Sequence, residues 1–195
     1  MTKRMALSLV IIFLVLSCPQ MAAAQEASNS LSALRQTVNQ MTGWFNSLLK
    51  APDALAAGED RVSLIDNLSK LSKAVYNLEQ DKRFLLVELK RSRINVSSVR
   101  QAIEDSEESL KIVRERLRST GLSLREQFRV GGDKVERSLS DLIGARKHWL
   151  EDLGDSLAEG RALNLKPVLK EGDDVVEALS KAEQELIKLI DVLRK

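Results

Sequence analysis

RVSLIDNLSKLSKAVYNLEQDKRFLLVELKRSRINVSSVRQAIEDSEESLKIVRERL, residues 61–117, contains neither glycine nor proline and repeats its apolar residues every seven positions. With Arg61 as heptad position a, the a sites are Arg61, Leu68, Val75, Lys82, Leu89, Val96, Ile103, Leu110 and Leu117. The d sites are Leu64, Leu71, Leu78, Leu85, Ser92, Val99, Ser106 and Val113. Apolar residues at an average spacing of 3.5 line one stripe of a helix, the pattern of a coiled-coil seam. Taken as one helix over residues 59–120, the segment would reach roughly 90 Å at 1.5 Å per residue. Its weakest part is RSRINVSS, residues 91–98, rich in β-branched and short polar residues that are mediocre helix formers. A hairpin there is the alternative. However, a tight turn usually draws on glycine, proline or aspartate, none is present, and the heptad keeps its phase on both sides. The expectation is one very long helix, continuous through 91–98. Lys82, Ser92 and Ser106 interrupt its seam and could fix register at some cost in stability.

Upstream of this segment, the chain opens with Lys3 and Arg4, an apolar run over residues 5–16, and the small residues Ala22, Ala23 and Ala24. This is the three-part layout of a secretory signal peptide, and about a dozen apolar residues fall short of the roughly 20 that span a bilayer. Cleavage after Ala24 is expected, giving a mature domain of residues 25–195 in the periplasm or outside the cell. A second fate is open. Val15, Leu16, Ser17 and Cys18 resemble a bacterial lipobox, and Cys18 is the chain's only cysteine. Lipidation at Cys18 would anchor the protein to a membrane. Against it, Pro19 follows directly and the small-residue site lies just beyond.

Loss of residues 1–24 removes two basic side chains and no acidic one, taking 30 basic residues to 28, equal to the 28 acidic ones. The net charge falls from +2 to zero, so nothing in the balance favours nucleic acid. A mature part without cysteine can form neither a disulfide nor a thiolate metal site. Low aromatic content (4%) and three prolines argue for helices over strands.

The remaining elements follow from periodicity. Residues 30–50 form a helix on Leu31, Leu34, Val38, Met41, Phe45 and Leu48, with Ser28, Asn29 or Ser30 as N-cap. Ala51 and Pro52 end it. Residues 133–159 form another, capped by Asp133 behind the Gly131-Gly132 pair, with Gly144 and Gly154 marking points where another helix comes close. The last helix, 173–194, opens on Asp173 and Asp174 and ends on Arg194, matching the helix dipole. The fold class is all-α, an antiparallel helical bundle built along one very long heptad-patterned helix.

Candidate chemistry is sparse. His148 is the one histidine, with Asp152 one turn on, and half a metal site is not a site. No nucleophile elbow accompanies the serines, and Gly131-Gly132 lacks the lysine–serine pair and preceding strand of a phosphate loop. Asn67 and Asn95 open glycan sequons that receive no role here. No catalytic residue, metal or cofactor is expected, and the protein is read as not an enzyme. Candidate partner contacts are Trp44 and Phe45, an aromatic pair with Trp44 beside the seam that reads first as a wide core face, and Tyr76 and Lys82, in a part of the long helix left with few intramolecular neighbours. Two amphipathic helices bury little alone, so either the long helix breaks into a compact bundle or a second copy or another protein supplies the missing face. The functional expectation is an exported adaptor, scaffold or assembly factor acting through protein–protein contacts. The alternatives are a reversible membrane-surface protein, which usually carries Lys and Arg on its polar face rather than mixed charges, and a helical bundle that binds a small ligand.

Overall fold

The computed structural model describes residues 2–56, 61–144, 149–160 and 163–195, with side chains from Ala23 onward except at 56 and 149–151. All regular structure among them is helical: α1 (Thr2–Leu49), α2 (Pro52–Ala56), α3 (Arg61–Leu89), α4 (Val96–Leu122), α5 (Glu126–Gly144), α6 (Trp149–Ala158) and α7 (Lys166–Arg194).

The long heptad segment is two helices, not one. It breaks after Leu89, and the chain reverses through residues 90–95. Asn95 is the residue that makes this possible. It sits at φ −90° and ψ 103°, and its Oδ1 accepts from the Ser97 and Ser98 amides at 3.1 and 3.3 Å. An asparagine N-cap satisfies amides that an unbroken helix would have bonded to the preceding turn. α3 and α4 then pack side by side, with Asn67 Nδ2 donating to Ser123 Oγ and Ser109 Oγ donating to Asp81. Fourteen of the seventeen a and d residues are buried, the exceptions being Arg61, Ser92 and Val96. The heptad keeps its phase because both helices turn the same stripe toward one shared apolar core.

Each helix has well-defined neighbours, and their directions follow from named contacts. Arg61 Nε donates to the Leu193 carbonyl at one end of the α3–α7 pair, and Lys90 meets Asp173 at 2.8 Å at the other, so these two run oppositely. Arg35 bonds Asp174 near the start of α7, while α2, which follows α1, also packs on α7. α1 and α7 therefore run the same way. Trp44 meets Phe128 and Gln40 meets Ser138, setting α5 antiparallel to α1. The Arg100–Asp155 ion pair brings α6 back to the start of α4. The contacts run α1 to α7, α7 to α3, α3 to α4, α4 to the α5–α6 column, and that column back to α1. Leu34 and Val38 (α1), Leu78 (α3), Leu110 (α4), Leu139 (α5) and Leu179 (α7) meet at the centre of this ring.

Three helices begin earlier than expected. α1 has no N-cap at 28–30; it is continuous from Thr2, and in place of a cap Gln25 donates to Asn29 one turn on. Alanine is the best helix former, and Ala23, Ala24 and Ala27 are buried, so this turn is packed. α5 starts at Glu126, not Asp133, and passes straight through Gly131 and Gly132. α7 starts at Lys166, with Pro167 in its first turn, where the missing N–H costs nothing. Pro52 opens α2 in the same way. Of the expected helix over 133–159, residues 145–148 lie outside the described residues, and the described parts belong to α5 and α6.

Asn95→Ala should lower unfolding free energy by about 1 kcal/mol, and Asn95→Asp should restore most of it, measured by urea denaturation. Equal stability of Asn95→Ala and wild type would mean that Asn95 does not cap α4.

Candidate functional site

The expected aromatic pair lies inside the protein. Phe45 is fully buried and Trp44 is 6% exposed, with ring centroids 5.3 Å apart and planes tilted by 40°. From its place beside the α1 seam, the Trp44 indole crosses α5 at the glycine pair. A Cβ on Gly131 would fall 2.4 Å from Trp44 Cδ1, and one on Gly132 2.8 Å from Cζ2. The ring's Nε1 donates to the Phe128 carbonyl at 2.9 Å, so its polar atom is satisfied in place. Glycine in a helix interior costs about 1 kcal/mol relative to alanine. Here the cost is offset by the burial of an aromatic ring that no larger residue would admit. Gly172 of α7 serves Leu86 likewise, and Gly154 of α6 lies close to Arg100, whereas a Cβ on Gly144 would meet nothing within 4 Å.

A polar layer crosses the core beside α3. Lys82 is 2% exposed, and Glu79, Ser106 and Ser109 are buried with it. Arg83 holds Glu79 through Nε at 2.8 Å and a second guanidinium nitrogen at 2.6 Å. Glu183 of α7 has its pKa raised above the ordinary 4.5, first by burial and then by the negative charge of Glu79. The sign follows directly. Between 4.5 and the raised value the folded chain holds a proton that the unfolded chain has released, so stability falls as pH rises through that window. Above it, ionised Glu183 weighs against the fold.

Tyr76, 46% exposed, points away from this layer. Lys82 and Tyr76 are thus on different sides of α3 and do not form one site. Tyr76 instead shares the outer face with Phe84 and Val87, which are 49% and 55% exposed. In the heptad these are positions b, c and f, where a solvent-facing helix carries polar residues. Apolar residues at b, c and f were the available signal for this face, and a reading confined to a and d passes over it. At the height where Glu79 faces Glu183, Ile187 of α7 is also exposed.

Cys18 lies within α1, and His148 falls outside the described residues. Among the described residues, no group of three or more His, Cys, Asp or Glu side chains is placed to hold a metal ion. No helix among them is long and apolar enough to cross a membrane. Comparison with known protein families, curated proteins and solved structures finds no match for this chain.

Gly131→Ala should destabilise the protein by about 1–3 kcal/mol through overpacking, although alanine is the better helix former. In a Trp44→Leu background the same change should become stabilising, and a denaturation double-mutant cycle reads this reversal. Glu183→Gln should raise the melting temperature at pH 7 and lose that advantage below pH 4.5. An advantage that grows on acidification would contradict the assignment.

Proposed function

We propose that this is an exported, non-enzymatic helical protein that works by binding another protein, as an adaptor, scaffold or assembly factor of a cell envelope. The observation that carries this reading is the outer face of α3. The chain encloses its own apolar core, yet Tyr76, Phe84 and Val87 remain at the surface. An aromatic and aliphatic stripe flanked by charged residues fits the centre of a protein interface, where aromatic residues are enriched and charges depleted. Of the expected contact residues, Tyr76 belongs to this face. Trp44, Phe45 and Lys82 support it from within, as parts of the core that hold α3 and α5 in place. The same reading takes the helices as a bundle, antiparallel except for the α1–α7 pair, whose α3–α4 hairpin packs in coiled-coil fashion. Export rests on the signal-peptide layout of residues 1–24, with lipidation at Cys18 as the alternative processing.

A photo-crosslinking residue at position 84, in the native host, should give a discrete protein adduct, while one at exposed position 181 on α7 should not. Phe84→Glu combined with Val87→Glu should abolish capture and leave the melting temperature within a few degrees. Adducts of equal yield from both positions, or none from position 84, would remove this reading. Mass spectrometry of the envelope fraction should find Gln25 as the first residue; a diacylated Cys18 would replace periplasmic localisation with membrane anchoring.

A further inference from the structure

The face of α5 that receives Trp44 also borders an open furrow of about 800 Å³ between α1 and α5. This feature is independent of the α3 face. Along α5 it runs from Gln127 to Asp141, about 21 Å at 1.5 Å per residue. Because α1 and α5 are antiparallel, its two halves differ in chemistry. One half is mainly apolar, with Phe128 and the 50% exposed Val130 over buried Trp44 and Leu48, and with Ser47 and Gln127 as its polar residues. The other carries Lys134 and Arg137, with Ser138 Oγ donating to Gln40 Oε1 at 3.3 Å across the gap. Asp141 offsets one of the two cations and lies at the far end.

Gly43 gives the furrow its depth. It sits inside α1, where glycine is the costliest residue after proline, and no packed neighbour requires it: a Cβ there would meet nothing within 4 Å. Gly131 is explained by the indole pressed against it, and Gly43 is not. What Gly43 does is leave the furrow floor open at its middle, beside the Trp44 ring.

We propose that this furrow binds a single-chain anionic amphiphile, a long-chain carboxylate, with its tail along Trp44, Leu48 and Phe128 and its head at Lys134 and Arg137. The volume, the apolar floor and the charged side chains gathered at one end match what small-ligand sites share. Carbon–carbon bonds of about 1.5 Å advance a zigzag chain by about 1.3 Å per carbon. A tail of about a dozen carbons therefore spans about 15 Å and fits the furrow with its head at the cationic end.

Titration calorimetry with dodecanoate, kept below its micelle concentration, should give saturable binding at one site per chain. Each methylene held in the furrow is expected to tighten binding by three- to fourfold, so decanoate should bind about tenfold more weakly. Dodecyltrimethylammonium, with the same tail and the opposite charge, should bind at least tenfold more weakly than dodecanoate. Gly43→Phe fills the floor and should abolish binding, whereas Gly43→Ala should raise the melting temperature and keep binding. Lys134→Glu with Arg137→Glu should remove the preference for the anion. The proposal is overturned by non-saturable uptake of dodecanoate, by equal binding of the cationic analogue, or by affinity that survives Gly43→Phe. Protein capture lost in Gly43→Phe, with no dodecanoate binding in wild type, would overturn it in favour of a partner helix in the furrow.

Discussion

The arrangement depends on how closely helices are allowed to approach one another, and the contact that sets this is the Trp44 indole lying across Gly131 and Gly132. A tryptophan between two helices ordinarily holds them apart. Here α5 gives up two side chains so that the ring rests on its backbone, and the Phe128 carbonyl takes the ring's one donor. That seat draws α5 against α1, and with it Val135 and Leu139 reach the centre shared with Leu34, Val38 and Met41. At the other side of the ring, Gly172 lets Leu86 bring α3 against α7. Large side chain against bare backbone is thus used twice, at the α1–α5 border and at the α3–α7 border.

Against these apolar contacts stands a band of polar groups in and around α3. Lys82, Glu79, Glu88 and Ser106 lie deep in a protein whose interior is mainly apolar. Buried ionic groups seldom add net stability, because loss of hydration opposes their mutual attraction. Their effect is on which arrangement is tolerated. Glu79 and Glu183 lie close enough to interact, and so mark one height shared by α3 and α7. Arg35, bonded to Glu171 at 3.3 Å and Asp174 at 2.9 Å, marks the register of α1 on α7 in the same manner.

Much of the helical content was legible because the chain writes its buried faces plainly. The stripe Leu64, Leu68, Leu71, Val75 and Leu78, and the stripe Val99, Ile103, Leu110, Val113 and Leu117, are buried as their spacing implies. What periodicity could not reveal was where that stripe changes helix. Both halves face a common core, so the repeat carries across the reversal unaltered, and only Asn95, with two short polar residues after it, marks the new start. The glycines misled for a related reason. Gly131 and Gly132 read as a break before Asp133 when only the local chain is considered, yet they are helical and packed against Trp44, more than 80 positions away, as Gly172 is against Leu86. The α3 surface was half legible: Tyr76 stood out as a tyrosine in a poorly partnered region, while Phe84 and Val87 lie off the seam.

The ring of five helical columns has an odd number of members, so directions cannot alternate all the way round. One neighbouring pair must run parallel, and that pair is α1 and α7, the first and last helices of the chain. The Arg35–Asp174 bond joins residues 139 positions apart. During synthesis α1, α3, α4 and α5 can all form while the space between α1 and α3 stays empty, because the helix that fills it is translated last. Until residues 166–194 arrive, the stripe of α1 and the α7-facing side of α3 are uncovered. The two apolar faces are therefore covered only once α7 is in place.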